Sequence, residues 1–138
     1  MKVLYTAVAT ATGDGRNGHV RSSDGFIDTD VRTPVELGGG GGATNPEQLF
    51  AAGYSACFLS ALRRAARGAS DDVDGAEITA EVGIGMGAER AFGLAVTLKV
   101  SLPRVGRDRA EELVAAAHRV CPYSNATRGN IDVRIEVV

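Results

Sequence analysis

Tryptophan is absent from the chain, and three tyrosines and four phenylalanines make up all of its aromatic content. A core built around large rings is therefore excluded. With 44% hydrophobic residues and 18 glycines in 138, small side chains must pack closely, in a single domain spanning residues 1–138. An excess of one charge is lacking too. The 15 basic and 17 acidic residues leave a net charge of −2, which argues against a nucleic-acid footprint or a polybasic membrane patch. No apolar run approaches the ~20 residues of a membrane span. The opening MKVLYTAVATATG is interrupted by Tyr5, Thr6, Thr10 and Thr12, so it reads as a first strand and not as a secretory segment. A cytoplasmic setting is expected, and there disulfides are more often catalytic or redox-sensing than structural. Cysteine is scarce as well, with only Cys57 and Cys121, so both are worth tracing.

What is present reads as α+β. Strand-like segments Val3–Thr12, His19–Ser22 and Phe26–Val31 alternate with the turn signals Gly13–Asp14–Gly15, Asn17–Gly18 and Asp24–Gly25, which predicts an N-terminal β-meander. The five glycines Gly38–Gly42 follow. A phosphate-cradling loop needs Lys and then Ser or Thr after its last glycine. Ala43 stands there instead, so a plain loop is expected. Thr44 or Asn45 can cap a helix with Pro46 at its first position. That helix should run to about Arg67, with Gly68 ending it and Arg63, Arg64 and Arg67 favouring its C-terminal dipole. Between Leu49 and Leu62 it is apolar on every face, which predicts burial all round. One sheet covers one side only, so a second copy of the chain is expected to cover the other, giving a homodimer. Two strands follow, Ala76–Gly87 and Phe92–Leu102. A second helix over Arg107–Val120 carries Ala110, Leu113, Val114, Ala117 and Cys121 on one stripe. Pro122 should stop it, and IDVRIEVV closes the chain as a strand.

Cys57 and Cys121 thus both face inward from different helices. The residues alone leave three readings open: a functional thiol pair, two unrelated buried thiols, or a metal site. The last gains from there being two cysteines and two histidines, with His118 and Cys121 spaced i, i+3. It loses because His19 and Cys57 lack ligand-like spacing. A working thiol must ionise, burial opposes that, and a cation has to be supplied. Arg16, among the glycines of GDGRNGHV, is one candidate, although an arginine in a turn is usually solvated. Glu47, at the start of the buried helix, is its candidate partner, although a first-turn carboxylate also suits the helix dipole. Glu47 precedes Cys57 by ten residues, roughly 15 Å along a straight helix. If Arg16 and Glu47 serve Cys57, they come from the partner subunit.

The segments ELGGGGGATNPEQLFAAGYSACFLSAL and CPYSNATRGNIDV, with the N-terminal GRNGHV, closely resemble the organic hydroperoxide resistance (Ohr) proteins of the wider Ohr/OsmC family. The resemblance covers nearly the whole chain, with no departure at the motif positions. It implies an intertwined α+β homodimer and a thiol-dependent peroxidase acting on organic and fatty-acid hydroperoxides. Cys57 matches the peroxidatic cysteine and Cys121 the resolving one, while Arg16 and Glu47 match the charged pair that activates the site. The resemblance implies no bound cofactor and no metal. Dihydrolipoamide on lipoylated proteins is the implied external reductant. Phe50, Phe58 and Phe92 are candidate walls for an alkyl tail, and each equally suits plain core. The competing functions are a non-catalytic structural or metal-holding thiol protein and a general dithiol–disulfide oxidoreductase, which usually carries the short C-x-x-C spacing absent here.

Overall fold

A computed structural model describes residues 1–138. The chain is α+β, as expected, and forms two compact units, Met1–Leu49 and Phe50–Val138.

In the first unit β1 (Ala9–Asp14), β2 (Asn17–Ser22) and β3 (Asp28–Asp30) form an antiparallel meander in the order β1-β2-β3. Asp14 pairs with Asn17, which leaves Gly15 and Arg16 as a two-residue turn. Gly15 takes a φ of 56° there, a value that costs glycine nothing and most residues a good deal. At their outer ends β1 and β3 are shorter than the sequence suggests, whereas β2 is longer: Gly13, Asp14, Asn17 and Gly18, expected in turns, pair across the hairpin. β1 starts at Ala9, and Val3, Leu4, Tyr5 and Val8 lie exposed outside it. The segment reads as a strand, but of these four only Val8 is tied to the meander, its carbonyl accepting the Ser23 N–H at 2.9 Å. Phe26 is likewise exposed in the turn before β3. The glycine run forms a loop, as expected, between a 3-10 turn at Val35–Leu37 and helix α1 (Pro46–Arg67). Asn45 is the cap: its Oδ1 accepts the Gln48 N–H at 2.9 Å, with Pro46 next to it.

In the second unit β4 (Glu77–Met86) runs antiparallel to β5 (Phe92–Ser101), and β6 (Asp132–Val137) returns parallel to β5, in the order β4-β5-β6. A parallel return needs a crossover, and α2 (Arg107–Val120) with α3 (Pro122–Thr127) supplies it. Val96, Leu98 and Val100 alternate onto one face, and against it pack Tyr54, Phe58 and Leu62 of α1 and Ala110, Leu113 and Ala117 of α2. The α2 stripe thus buries the residues its spacing picks out.

Within one chain helix α1 has the single covered side expected of it, and one expectation, at Pro122, is corrected. On α1, Tyr54, Phe58, Ala61, Leu62 and Ala66 are buried, while Ala52, Ala56 and Ser60 on another face are exposed. A single sheet covers one side, and nothing in the second unit covers the other. Pro122 does more than stop α2. It opens α3, for which proline at the first helical position is pre-organised. Cys121 is the hinge between them, extended at φ −65° and ψ 123°, and caps both helices. None of the helices is long and apolar enough to cross a membrane.

Candidate active site

Cys57 sits in the middle of α1, one position before the wholly buried Phe58, and is itself partly buried. Cys121 is wholly buried at the α2–α3 hinge. Folding the second unit brings the two sulfurs to 3.6 Å, and both thiols are free. Burial pushes the Cys57 thiol above its ordinary pKa, and the neighbouring Cys121 thiol adds to the rise. The backbone N–H of Tyr123, donated to the sulfur, works the other way. A thiol held in this way is protonated at neutral pH and a poor nucleophile until a positive charge reaches it.

Tyr123 also supplies a ring. Phe50, Tyr54 and Tyr123 form a three-membered aromatic cluster with centroids 5.6–6.0 Å apart. Gly53, one turn before Cys57, makes room for it: a Cβ there would lie 2.8 Å from the Tyr123 hydroxyl and 3.3 Å from its ring carbons. Behind the ring a buried polar set ties α1 to α3. Tyr54 Oη lies 3.0 Å from Ser124 Oγ and 3.2 Å from Thr127 Oγ1, and His118 Nδ1 lies 2.9 Å from Ser124 Oγ.

The charged pair is made in the first unit. The Arg16 guanidinium donates to both Glu47 oxygens, at 2.9 and 2.7 Å. Such a planar two-point contact fixes a guanidinium far better than a single bond does. Hydrogen bonding to Glu47 raises the Arg16 pKa, and the same bond holds Glu47 below the ordinary carboxylate range. Both groups are therefore ionised, and Glu47 is only 11% exposed in its side chain.

The candidates thus assemble as two pairs, Cys57 with Cys121 and Arg16 with Glu47. Of the three phenylalanines, Phe50 joins the aromatic cluster, Phe58 is core, and Phe92 stands 69% exposed at the start of β5. Gly53, Tyr54, Tyr123 and Ser124 have no place in the site on sequence grounds alone, and His118 enters there only as a candidate metal ligand. The one available signal is position: Gly53 lies four residues before Cys57 on one helix face, and Tyr123 and Ser124 closely follow the second cysteine. His19 and His118 are apart from any ligand set. The first lies between Asp28 and Asp30, and the second faces Ser124.

The family model of OsmC-like proteins matches residues 38–136. The organic hydroperoxide resistance protein of Xanthomonas axonopodis pv. citri is 51% identical over 136 residues, covering 97% of this chain and 94% of the relative. Among solved structures, an organic hydroperoxide resistance protein from Elizabethkingia anophelis superposes with a TM-score of 0.93 at 52% identity, covering 99% of this chain and 98% of the other. The organic hydroperoxide resistance protein OhrB of Bacillus subtilis gives 0.90 at 45%, covering 99% and 100%. With the family model spanning most of the chain and relatives at half identity along nearly all of it, the chain belongs to the Ohr branch of the Ohr/OsmC family.

Proposed function

We propose that the chain is an organic hydroperoxide reductase, a thiol-dependent peroxidase of the oxidative stress response. The observation that carries this reading is the 3.6 Å approach of a partly exposed thiol, Cys57, to a wholly buried one, Cys121. The Cys57 thiolate attacks the outer oxygen of ROOH, the O–O bond breaks, and the alkoxide leaves as ROH after taking a proton. Cys57 becomes a sulfenic acid. The Cys121 sulfur then attacks Cys57 Sγ, water leaves, and a Cys57–Cys121 disulfide remains. A dithiol reopens it by exchange and is itself oxidised to a disulfide. Dihydrolipoamide, carried on lipoylated proteins, is the dithiol this reading assigns, so no cofactor need be bound.

The ionising cation is Arg16, held by Glu47, and the working form is an intertwined homodimer acting as one domain per chain. Two features support a second copy. The Ala52, Ala56 and Ser60 face of α1 is uncovered, and Val3, Leu4, Tyr5 and Val8 form an exposed apolar arm. In the dimer, Arg16 and Glu47 of one chain serve Cys57 of the other. The apolar rings of Phe50 and Tyr123 favour an alkyl tail. Each buried CH₂ is worth about 0.8 kcal/mol, so a four-carbon tail can account for a preference over hydrogen peroxide on the order of 100-fold. The reading places the protein in the cytoplasm.

The test is peroxide consumption with tert-butyl hydroperoxide, dihydrolipoamide and its reductase, run beside hydrogen peroxide. Turnover that prefers the alkyl substrate and vanishes in Cys57→Ser supports the reading. Turnover retained in Cys57→Ser, or a preference for hydrogen peroxide, overturns it.

A further inference from the structure

The polar set behind Tyr123 has a direction. Thr127 Oγ1 lies 3.0 Å from the Tyr123 carbonyl and 3.2 Å from the Ser124 carbonyl. Carbonyls only accept, so the Thr127 hydroxyl proton goes to them, and its oxygen has to accept from Tyr54. Tyr54, having spent its one proton on Thr127, accepts from the Ser124 hydroxyl. Ser124, its proton spent on Tyr54, accepts from His118 Nδ1–H. The reverse order would set Thr127 Oγ1 against two carbonyls with no hydrogen between them, a repulsion in a place where Tyr54 and Ser124 are wholly buried and Thr127 is 3% exposed. The relay therefore runs from His118 through Ser124, Tyr54 and Thr127 to the Tyr123 carbonyl, every donor used. Burial and the Arg128 charge hold His118 below its ordinary pKa, so a neutral Nδ1–H ring is the resting form. Arg128 adds a strap, donating to the His118 carbonyl at 2.6 Å and to Asn125 Oδ1 at 2.7 Å.

The placement of this relay matters. Tyr54 is three residues before Cys57 on α1, Ser124 three after Cys121, and the relay ends on Tyr123, whose N–H faces the Cys57 sulfur. Closing a disulfide requires the sulfurs to shorten from 3.6 Å to about 2.0 Å, a movement the α2–α3 hinge has to make without swinging away. We propose that Tyr54, Ser124, Thr127 and His118 are positioning residues for the resolving step: they moor α3 to α1 so that Cys121 stays within reach of the oxidised Cys57. This role rests on the peroxidase reading above. It asks for no contact with substrate, so the first oxidation of Cys57 does not depend on it.

The test separates the two steps by rapid mixing with tert-butyl hydroperoxide, following Cys57 sulfenic acid by trapping and the disulfide by mass. In Tyr54→Phe, which keeps the ring, and in Thr127→Val, sulfenic acid forms at the wild-type rate within about twofold. Disulfide formation slows by at least about tenfold, as expected when reacting groups lose about an ångström of alignment, and sulfinic acid accumulates. Thr127→Ser, which keeps the hydroxyl, resolves at the wild-type rate. Nitrogen spectra of His118 show a protonated Nδ1 in the neutral ring. Resolution at the wild-type rate in both Tyr54→Phe and Thr127→Val, an equal slowing of both steps, or a neutral ring protonated at Nε2 overturns the role. A wild-type chain that forms no Cys57–Cys121 disulfide at all overturns the peroxidase reading beneath it, an outcome told apart from these by the unmutated control.

Discussion

Oxidising Cys57 and Cys121 to a disulfide should stabilise the fold, and the structure says by how much. The two residues are 64 positions apart. Cross-linking a loop of that length removes about 14 cal/mol/K of chain entropy from the unfolded ensemble, or about 4 kcal/mol at 25 °C. For a chain of this size that corresponds to roughly 10–15 °C in Tm. The native state gives part of this back, because the wholly buried Cys121 sulfur has to leave its site and travel about 1.5 Å to bond. The shortfall has a meaning. Each 1.4 kcal/mol by which the measured gain falls below about 4 makes the couple about 30 mV more oxidising, and so easier for a dithiol to reopen. The assay is guanidinium unfolding of peroxide-treated and dithiothreitol-treated protein at one fixed chain concentration, since assembly would otherwise shift the midpoint. Mass spectrometry verifies that the bond lies within the chain. A gain between about 1 and 4 kcal/mol is expected. An oxidised form less stable than the reduced one would refute the claim that folding delivers the two sulfurs ready to join.

Three further outcomes follow from other parts of the molecule. On the proposed reading, removing the Arg16 cation leaves Cys57 with only the Tyr123 amide to oppose burial, so in Arg16→Ala the pH profile of Cys57 alkylation should move upward. For every pH unit the profile moves, the thiolate present at neutral pH falls about tenfold, and an unmoved profile would return Arg16 to the solvent. In Gly53→Ala the new methyl, 2.8 Å from the Tyr123 hydroxyl, should push the ring outward. Helix propensity gains up to about 1 kcal/mol, so Tm should hold or rise while the preference for alkyl over hydrogen peroxide falls; unchanged selectivity would show that the ring forms no part of the wall. His19 donates to Asp30 at 2.9 Å and Asp28 at 2.6 Å, with Arg32 and Arg21 on the outer sides of those carboxylates. Hydrogen bonds to Asp30 and then Asp28 raise its pKa. The stabilisation is therefore complete below the unfolded value of about 6.5 and fades as pH climbs through the higher folded one. The Tm gap between wild type and His19→Gln should be widest near about pH 6 and narrow toward alkaline pH, and a gap that widens instead would contradict the clamp.

Much of the fold is legible in the sequence because local chemistry dictates it. The α2 stripe and the Asn45–Pro46 start of α1 rest on rules that act within a few residues, and each stands where its residues place it; the hairpin at Gly15 is foreseen too, but its turn is tighter than the glycines suggest. The long strands β4 and β5 announce themselves by alternation. What escapes depends on distant neighbours. The extent of β1 is such a case: Val3–Val8 has the composition of a strand, yet a strand needs a partner, and the sequence does not say whether that partner lies in the same chain. Helix α3 escapes because Pro122 reads equally as an end and as a beginning. For the site, the residue types that can ionise or react stand out, and Cys57, Cys121, Arg16 and Glu47 are all of that kind. Gly53, Tyr54 and Ser124 are not, because their part lies in shape and hydrogen bonding, which only folding brings together.

The scarcity of aromatics sharpens that last point. Of three tyrosines and four phenylalanines, three side chains meet in one cluster, Phe50, Tyr54 and Tyr123, although the core could have used them elsewhere. The cluster needs Gly53 to admit its outermost ring, and its innermost ring carries the hydroxyl that moors α3. Apolar wall and polar mooring are thus two ends of one construction around a single sulfur. The same apolar packing that would favour an alkyl tail raises the Cys57 pKa, so a wall good for selectivity is bad for the nucleophile. On the proposed reading the conflict is resolved by leaving the cation out of the second unit altogether and delivering it on a separate hairpin, from the partner subunit, where Glu47 keeps the guanidinium aligned. A lone chain would then hold a quiet thiol, and alkylation of Cys57 should accelerate as dilute protein is concentrated through its dimerisation range. A rate independent of concentration across that range would mean that Arg16 of the same chain does the work.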